Sequence, residues 1–312
     1  MDNIMAPRDA FGKSLYEAGK VNPNIFVVTA DLGTATKASI FGDAFKDRYL
    51  NVGIAEQNLT GVAAGLARSG YTAVMSTFAC FAPGRCYDQI RQSIAYSNLN
   101  VKVMSTHPGL SVGMDGAIHQ SLDDIALMRE LPNFAVLAPS DEIETRKAVL
   151  KAIEHEGPVY VRIGRKEVPK LFKEEWDFEI GKGYTLSEGN DVTIIAHGSM
   201  VSEAYEAGKK LREMGISARV INMSSIKPID NEILMKAAIE TKGIVVAEDH
   251  FKYGGLYSAV CEAVSSKAPT KVLAVAVNDT FGESGKPEDL YKKYGLTKEN
   301  IIARAMEIIN QS

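Results

Sequence analysis

One carboxylate stands out by position. Glu56 lies in LNVGIAEQNLTGVAAGLARSG, residues 50–70, where an apolar strand pattern at 50–54 gives way to a small-residue helical pattern at 57–67. An acid at such a junction is half desolvated, which makes it a strong hydrogen-bond partner for a nitrogen or hydroxyl that enters. Taken alone it reads more readily as a first-turn acid that complements the helix dipole. A second group sits in THPGLSVGMDGAIHQ, residues 106–120, which holds Asp115 and two, His107 and His119, of only 5 histidines in the chain. The two histidines can donate, accept or carry a proton near neutrality, and Asp115 can orient a hydroxyl or a histidine. Gly109, Gly113 and Gly116 would let that backbone approach a ligand closely, or simply make an exposed turn. Phe78 and Phe81, in STFACFAPGRCYDQIRQS, read either as core or as an apolar platform for a flat heteroaromatic ring. Arg162, with Arg165 close behind it in VYVRIGRK, and Arg8 carry guanidinium groups that clamp phosphate or make surface ion pairs. Asp249, His250, Gly254 and Gly255 read as a strand end, a turn and a helix start, because no other chemical group clusters with them.

The elements that must hold these residues follow from periodicity. Short β-branched runs, IFVVTA, TAVMST, VKVMST, FAVLAP and VYVRI, alternate with amphipathic stretches such as residues 141–155. Strands buried on both faces and separated by helices imply an α/β fold with a mostly parallel sheet covered by helices. Ligands of such sheets gather at strand C-termini, where Asp31, Thr77, Phe78, Thr106 and His107 fall. The charged, Gly-bearing segment with the sole tryptophan, Trp176, reads as a linker. VTIIAHG, ARVINMSSI, GIVVAEDH and KVLAVAV beyond it give a second sheet, with a helix at 202–214. The expected organisation is a first α/β domain at 1–170, a linker at 171–189 and a second α/β domain at 190–312.

Composition narrows the partners. The chain of 312 residues carries 39 acids against 35 bases, a formal net charge of −4 with no basic block, so nucleic acid and anionic membrane have no electrostatic support. Cys80, Cys86 and Cys261 form no CxxC pair, which points to reduced thiols and a cytoplasmic location. No apolar run approaches the ~20 residues of a membrane span, and the N-terminus lacks a secretory pattern. No GxGxxG follows a strand, so a nicotinamide role lacks its marker.

NVGIAEQN, STFACF, THPGLSVGMDGAIHQ, LPNFAVLAPSD and VYVRIGR, in that order, resemble the pyrimidine-binding and C-terminal domains of transketolase. The GDG motif of the family's diphosphate-binding domain is absent, so the chain looks like the C-terminal subunit of a split, two-chain transketolase. The resemblance implies thiamine diphosphate as cofactor, with a divalent metal, Mg or Ca, held by an N-terminal partner subunit that carries GDG, in an α2β2 heterotetramer. It implies that Glu56 hydrogen-bonds the aminopyrimidine and that Phe78 and Phe81 wall it, although APGR after Phe81 departs from the common pattern. Asp31 matches an acid at the cofactor and subunit interface, and His119 a group near the reacting carbons. His107, Arg162 and Arg8 match phosphate contacts, and Asp115 and His119 match contacts to sugar hydroxyls. The family's phosphate-binding serine falls near Ala35, with Thr34 and Thr36 alongside. The implied activity is transfer of a two-carbon ketol unit between phosphorylated sugars of the pentose phosphate pathway. Deoxyxylulose-phosphate synthase shares NVGIAEQ but usually has arginine where His107 stands, and the β chain of 2-oxo-acid dehydrogenases lacks DGAIHQ. A non-catalytic assembly subunit would have no need of Glu56, His107, Asp115 and His119.

Overall fold

The computed structural model describes residues 5–311. Twelve strands, β1 (Ile25–Thr29), β2 (Tyr49–Asn51), β3 (Thr72–Phe78), β4 (Val101–Thr106), β5 (Ala135–Leu137), β6 (Val159–Ile163), β7 (Tyr184–Ser187), β8 (Val192–Ala196), β9 (Ala218–Asn222), β10 (Ser225–Lys227), β11 (Ile244–Phe251) and β12 (Val272–Val277), form two sheets. The first has 7 strands in the order β10-β5-β6-β4-β3-β1-β2, the second 5 in the order β12-β11-β8-β9-β7. Neighbours run parallel except β10 against β5 and β7 against β9. This is the α/β architecture of two mostly parallel, helix-covered sheets that the patterning predicts.

Every residue of β3 after Thr72, and all of β4, β6, β8 and β9, is buried, which is why these runs are nearly continuous in Val, Ile, Ala and Thr. Lys102 is the exception inside β4, and its ammonium is satisfied by the carbonyls of His155 and Gly157 at 2.5 and 2.6 Å. Between strands, the helix Glu142–Glu154 begins where expected, because the Asp141 side chain accepts the Glu144 N–H at 2.8 Å. The strand expected at 50–54 ends at Asn51 instead, since Gly53 takes φ 75° and turns the chain into the helix Glu56–Arg68.

The two sheets share their packing. One apolar core takes Val136, Ala138 and Tyr160 from the first sheet together with Ile195, Ile221 and Val246 from the second. Two further cores cover the outer faces. Within residues 171–189, the Leu171 and Phe172 N–H groups donate to Asp141 and Tyr184–Ser187 is the edge strand of the second sheet, so this stretch is anchored at both ends. Past it, β10 crosses back and pairs with β5, Ser225 opposite Leu137.

Candidate active site

The C-terminal ends of β1, β3, β4 and β6 open on one side of the first sheet, and most of the candidate residues stand there. Glu56 is the first residue of its helix yet only 3% exposed. The small side chains of that helix, with Ala63 and Ala64 buried, let it pack close to its neighbours. Arg85 Nη1 lies 2.9 Å from Glu56 Oε1, and its guanidinium carbon sits 4.3 Å from the centroid of the Phe81 ring.

Phe78, the last residue of β3, stacks on Phe81 with centroids 5.9 Å apart and planes 14° from parallel. His107 packs on Phe78 at 3.9 Å, and His119 meets Phe81 edge-on at 5.6 Å. The aromatic segment and the histidine loop, separate in sequence, therefore make one wall. His119 Nδ1 is buried in it without a hydrogen-bond partner.

His107 follows β4 at φ 60° and is 3% exposed. Its Nδ1 is 2.7 Å from Thr106 Oγ1 and its Nε2 3.2 Å from Arg8 Nη1. A guanidinium only donates, so Nε2 is the acceptor and the proton of the neutral ring belongs on Nδ1. Burial, then the nearby charges of Arg165, Arg8 and His119, push the imidazole pKa down to about 3, so the ring is neutral at physiological pH. Arg165 is about one-third exposed and holds the loop through the Val112 carbonyl at 2.5 Å and Asp115 Oδ2 at 3.3 Å. Arg8 and Arg165 thus bring donor-bearing, cationic groups around one corner, beside the neutral His107.

Arg162 does not join them. It is 5% exposed, its Nε donates to Asp124 Oδ2 at 2.8 Å, and its Nη2 to the carbonyls of Asp249 and Ser121 at 2.8 and 3.3 Å. Tyr160 donates to the same Asp124 oxygen, and Asp249 receives Leu110 N and the Tyr291 hydroxyl. The expectation that Arg162 contacts phosphate is corrected: it lies inside a strand covered on both faces and is consumed in fastening the two sheets, while Arg165 holds the exposed position. Burial alone would raise the Asp124 carboxyl, but the Arg162 guanidinium holds it below the usual range. The AEDH segment, read as a strand end with no other chemical group clustered on it, supplies this joint through Asp249, and the buried Glu248 accepts the N–H groups of Leu256 and Tyr257 at the start of the next helix. Its signal in the sequence is three ionisable residues ending a β-branched run.

Asp31 stands exposed past β1 at φ 61°, braced by Asn51 through its own N–H at 2.9 Å and its carboxylate at 3.1 Å. Around Ala35, the Thr36 hydroxyl is spent on the Leu32 carbonyl at 3.0 Å, while Thr34 is exposed. Among the described residues no group of three or more His, Cys, Asp or Glu could hold a metal ion, and no helix is long and apolar enough to cross a membrane.

Residues 4–170 match the family of the transketolase pyrimidine-binding domain, and residues 181–301 that of the transketolase C-terminal domain. The chain belongs to the transketolase family. It is 46% identical over 303 residues to a putative transketolase C-terminal section of Methanocaldococcus jannaschii, covering 96% of this chain and 95% of that one. It is 39% identical over 311 residues to an apulose-4-phosphate transketolase subunit of Phocaeicola vulgatus, covering 99% of both. A solved structure described as a split gene transketolase, inactive beta4 tetramer, superposes with a TM-score of 0.92 at 50% identity, over 98% of this chain and 99% of that one. Transketolases use thiamine diphosphate, and the site suits its ring: a buried carboxylate, a flat apolar wall and an orphaned imidazole nitrogen are complementary to a heteroaromatic bearing nitrogens.

Proposed function

We propose that this chain is the C-terminal subunit of a cytoplasmic two-chain transketolase that moves a two-carbon ketol unit between a phosphorylated ketose and an aldose phosphate. The observation that carries the reading is the buried Glu56 carboxylate beside the stacked Phe78 and Phe81 rings and the unpartnered His119 nitrogen. Glu56 would hold the pyrimidine N1′, Phe78 and Phe81 would cover the ring, and Asp31 would contribute where the two chains meet. When bound, thiamine diphosphate supplies the carbon nucleophile that protein side chains lack. This chain's part is to orient and to exclude water. Arg8, the neutral His107 and Arg165 would bind the sugar phosphate, which the cationic corner favours. Asp115 and His119 would meet sugar hydroxyls, His119 exchanging a proton at a substrate oxygen.

The diphosphate and a divalent metal, Mg or Ca, would be held by a GDG-bearing partner chain, in an α2β2 assembly. The name of the Phocaeicola relative widens the donor to phosphorylated ketoses outside the pentose phosphate pathway. The test is ketol transfer from xylulose 5-phosphate to a panel of aldose phosphates, with and without the partner. Activity is expected only in the complex, and Glu56→Gln is expected to lower kcat by about 100-fold or more while the subunits still assemble. Turnover by this chain alone, or an unimpaired Glu56→Gln complex, would overturn the reading.

A further inference from the structure

A buried carboxylate with no partner costs several kcal/mol, so Glu56 needs a companion whenever the pyrimidine ring is elsewhere. Arg85 meets that need in a particular shape. Its guanidinium is flat, carries N–H donors along its edge and lies over the Phe81 ring at 4.3 Å while one nitrogen reaches Glu56 Oε1 at 2.9 Å. An aminopyrimidine makes the same two demands, an aromatic face to lie on and the Glu56 carboxyl at its edge. The two cannot be met for both groups at once.

Resting on the proposed function of this site, we propose that Arg85 is a stand-in for the aminopyrimidine, holding Glu56 and covering Phe81 until the cofactor displaces it. Release is open to it. The side chain is 48% exposed, whereas Glu56 is enclosed, so Arg85 is the partner that can leave. Its own helical turn is uncoupled from the next one: Cys86 departs from helical geometry at φ −114°, ψ 17°, and the backbone then runs as a π-helix at Ile90–Ala95. Gly84, just before it, has nothing within 4 Å of where a Cβ would stand. The same side chain therefore keeps the site closed on itself in the free chain and sets how tightly the complex takes the cofactor.

The experiment compares the assembled two-chain complex carrying wild-type, Arg85→Ala or Arg85→Lys subunits, titrated calorimetrically with thiamine diphosphate at saturating Mg²⁺. Losing a half-exposed ion pair and a cation–π contact that compete with the ligand should tighten Kd about tenfold in Arg85→Ala, with faster association. Arg85→Lys, which keeps charge but not the flat face, should fall between. In the isolated chain Arg85→Ala should lower Tm, and adding Glu56→Gln should restore part of the loss. Unchanged or weaker cofactor affinity in Arg85→Ala, with wild-type uptake normal, overturns this proposal alone and leaves an ordinary structural ion pair. A wild-type complex that takes up no thiamine diphosphate removes the functional reading and this proposal together.

Discussion

At the scale of single residues, the site depends on which charges are buried and what each is given as a partner. His107 illustrates it. Its imidazole is held at a pKa of about 3 in the folded chain against 6.5 when exposed, so the unfolded state binds the proton first. Stability from this ring is full above pH 6.5 and is lost as pH falls toward 3, amounting to about 2 kcal/mol at pH 5. Urea unfolding of the isolated chain at pH 7.5 and pH 5 should show that His107→Gln removes about that much of the acid sensitivity; an unchanged difference would mean the ring is protonated in place. His107, Phe78, Phe81 and Glu56 stand out in the sequence because each abuts the end of a recognisable strand or the start of a helix, whereas His119 is singled out only by its glycine-bearing loop. Arg162 misleads for a physical reason. Residues 162 and 165 look alike in VYVRIGRK, and only Asp124 and the Asp249 carbonyl, supplied by distant segments, reveal that the first is enclosed. Arg85 gives no sign in the sequence because its pairing with Glu56 joins two helices that no periodicity relates.

At the scale of elements, the loop after β4 is where backbone geometry carries the site. Gly109 takes φ 70°, and a Cβ there would stand 2.1 Å from Asp249 Oδ2. That carboxylate also receives Leu110 N and the Tyr291 hydroxyl, so the loop closes against the second sheet at this point. Gly109→Ala should cost about 3 kcal/mol or more, combining left-handed strain with displacement of hydrogen-bonded Asp249. Denaturant unfolding will measure it, and a loss below about 1 kcal/mol would show that the loop relaxes freely. The glycine spacing announces an unusual backbone but not its reason, since the obstacle comes from β11, far along the chain. Strand and helix identities are far easier to read, because doubly buried strands need apolar runs whatever surrounds them. Their ends are less so: a single Gly53 outweighs the apolar character of residues 52 and 54.

At the scale of the whole molecule, the two sheets behave as one body joined by a shared apolar core and the Asp124–Arg162–Asp249 fastening. Arg162→Met should destabilise by about 3–5 kcal/mol, because it strands the fully buried Asp124 charge. A double-mutant cycle with Asp124→Asn is expected to recover part of that loss, and strictly additive losses would show that the two side chains act apart. The two-sheet architecture is readable from composition and alternation, but the fastening is not, because it is built from charged residues of the kind that ordinarily face solvent.

The crossing of β10 into the first sheet also has a bearing on how the chain is made. Ser225 pairs with Leu137, so the edge at β5 stays bare while everything between them is still being synthesised. A nascent chain that has released only its first half exposes an unpaired parallel-sheet edge to its neighbours, the kind of surface that recruits other strands. Completion of the first sheet is thereby timed by translation of the second half, and polypeptides stopped between the two sheets are expected to depend on chaperones to remain dispersed.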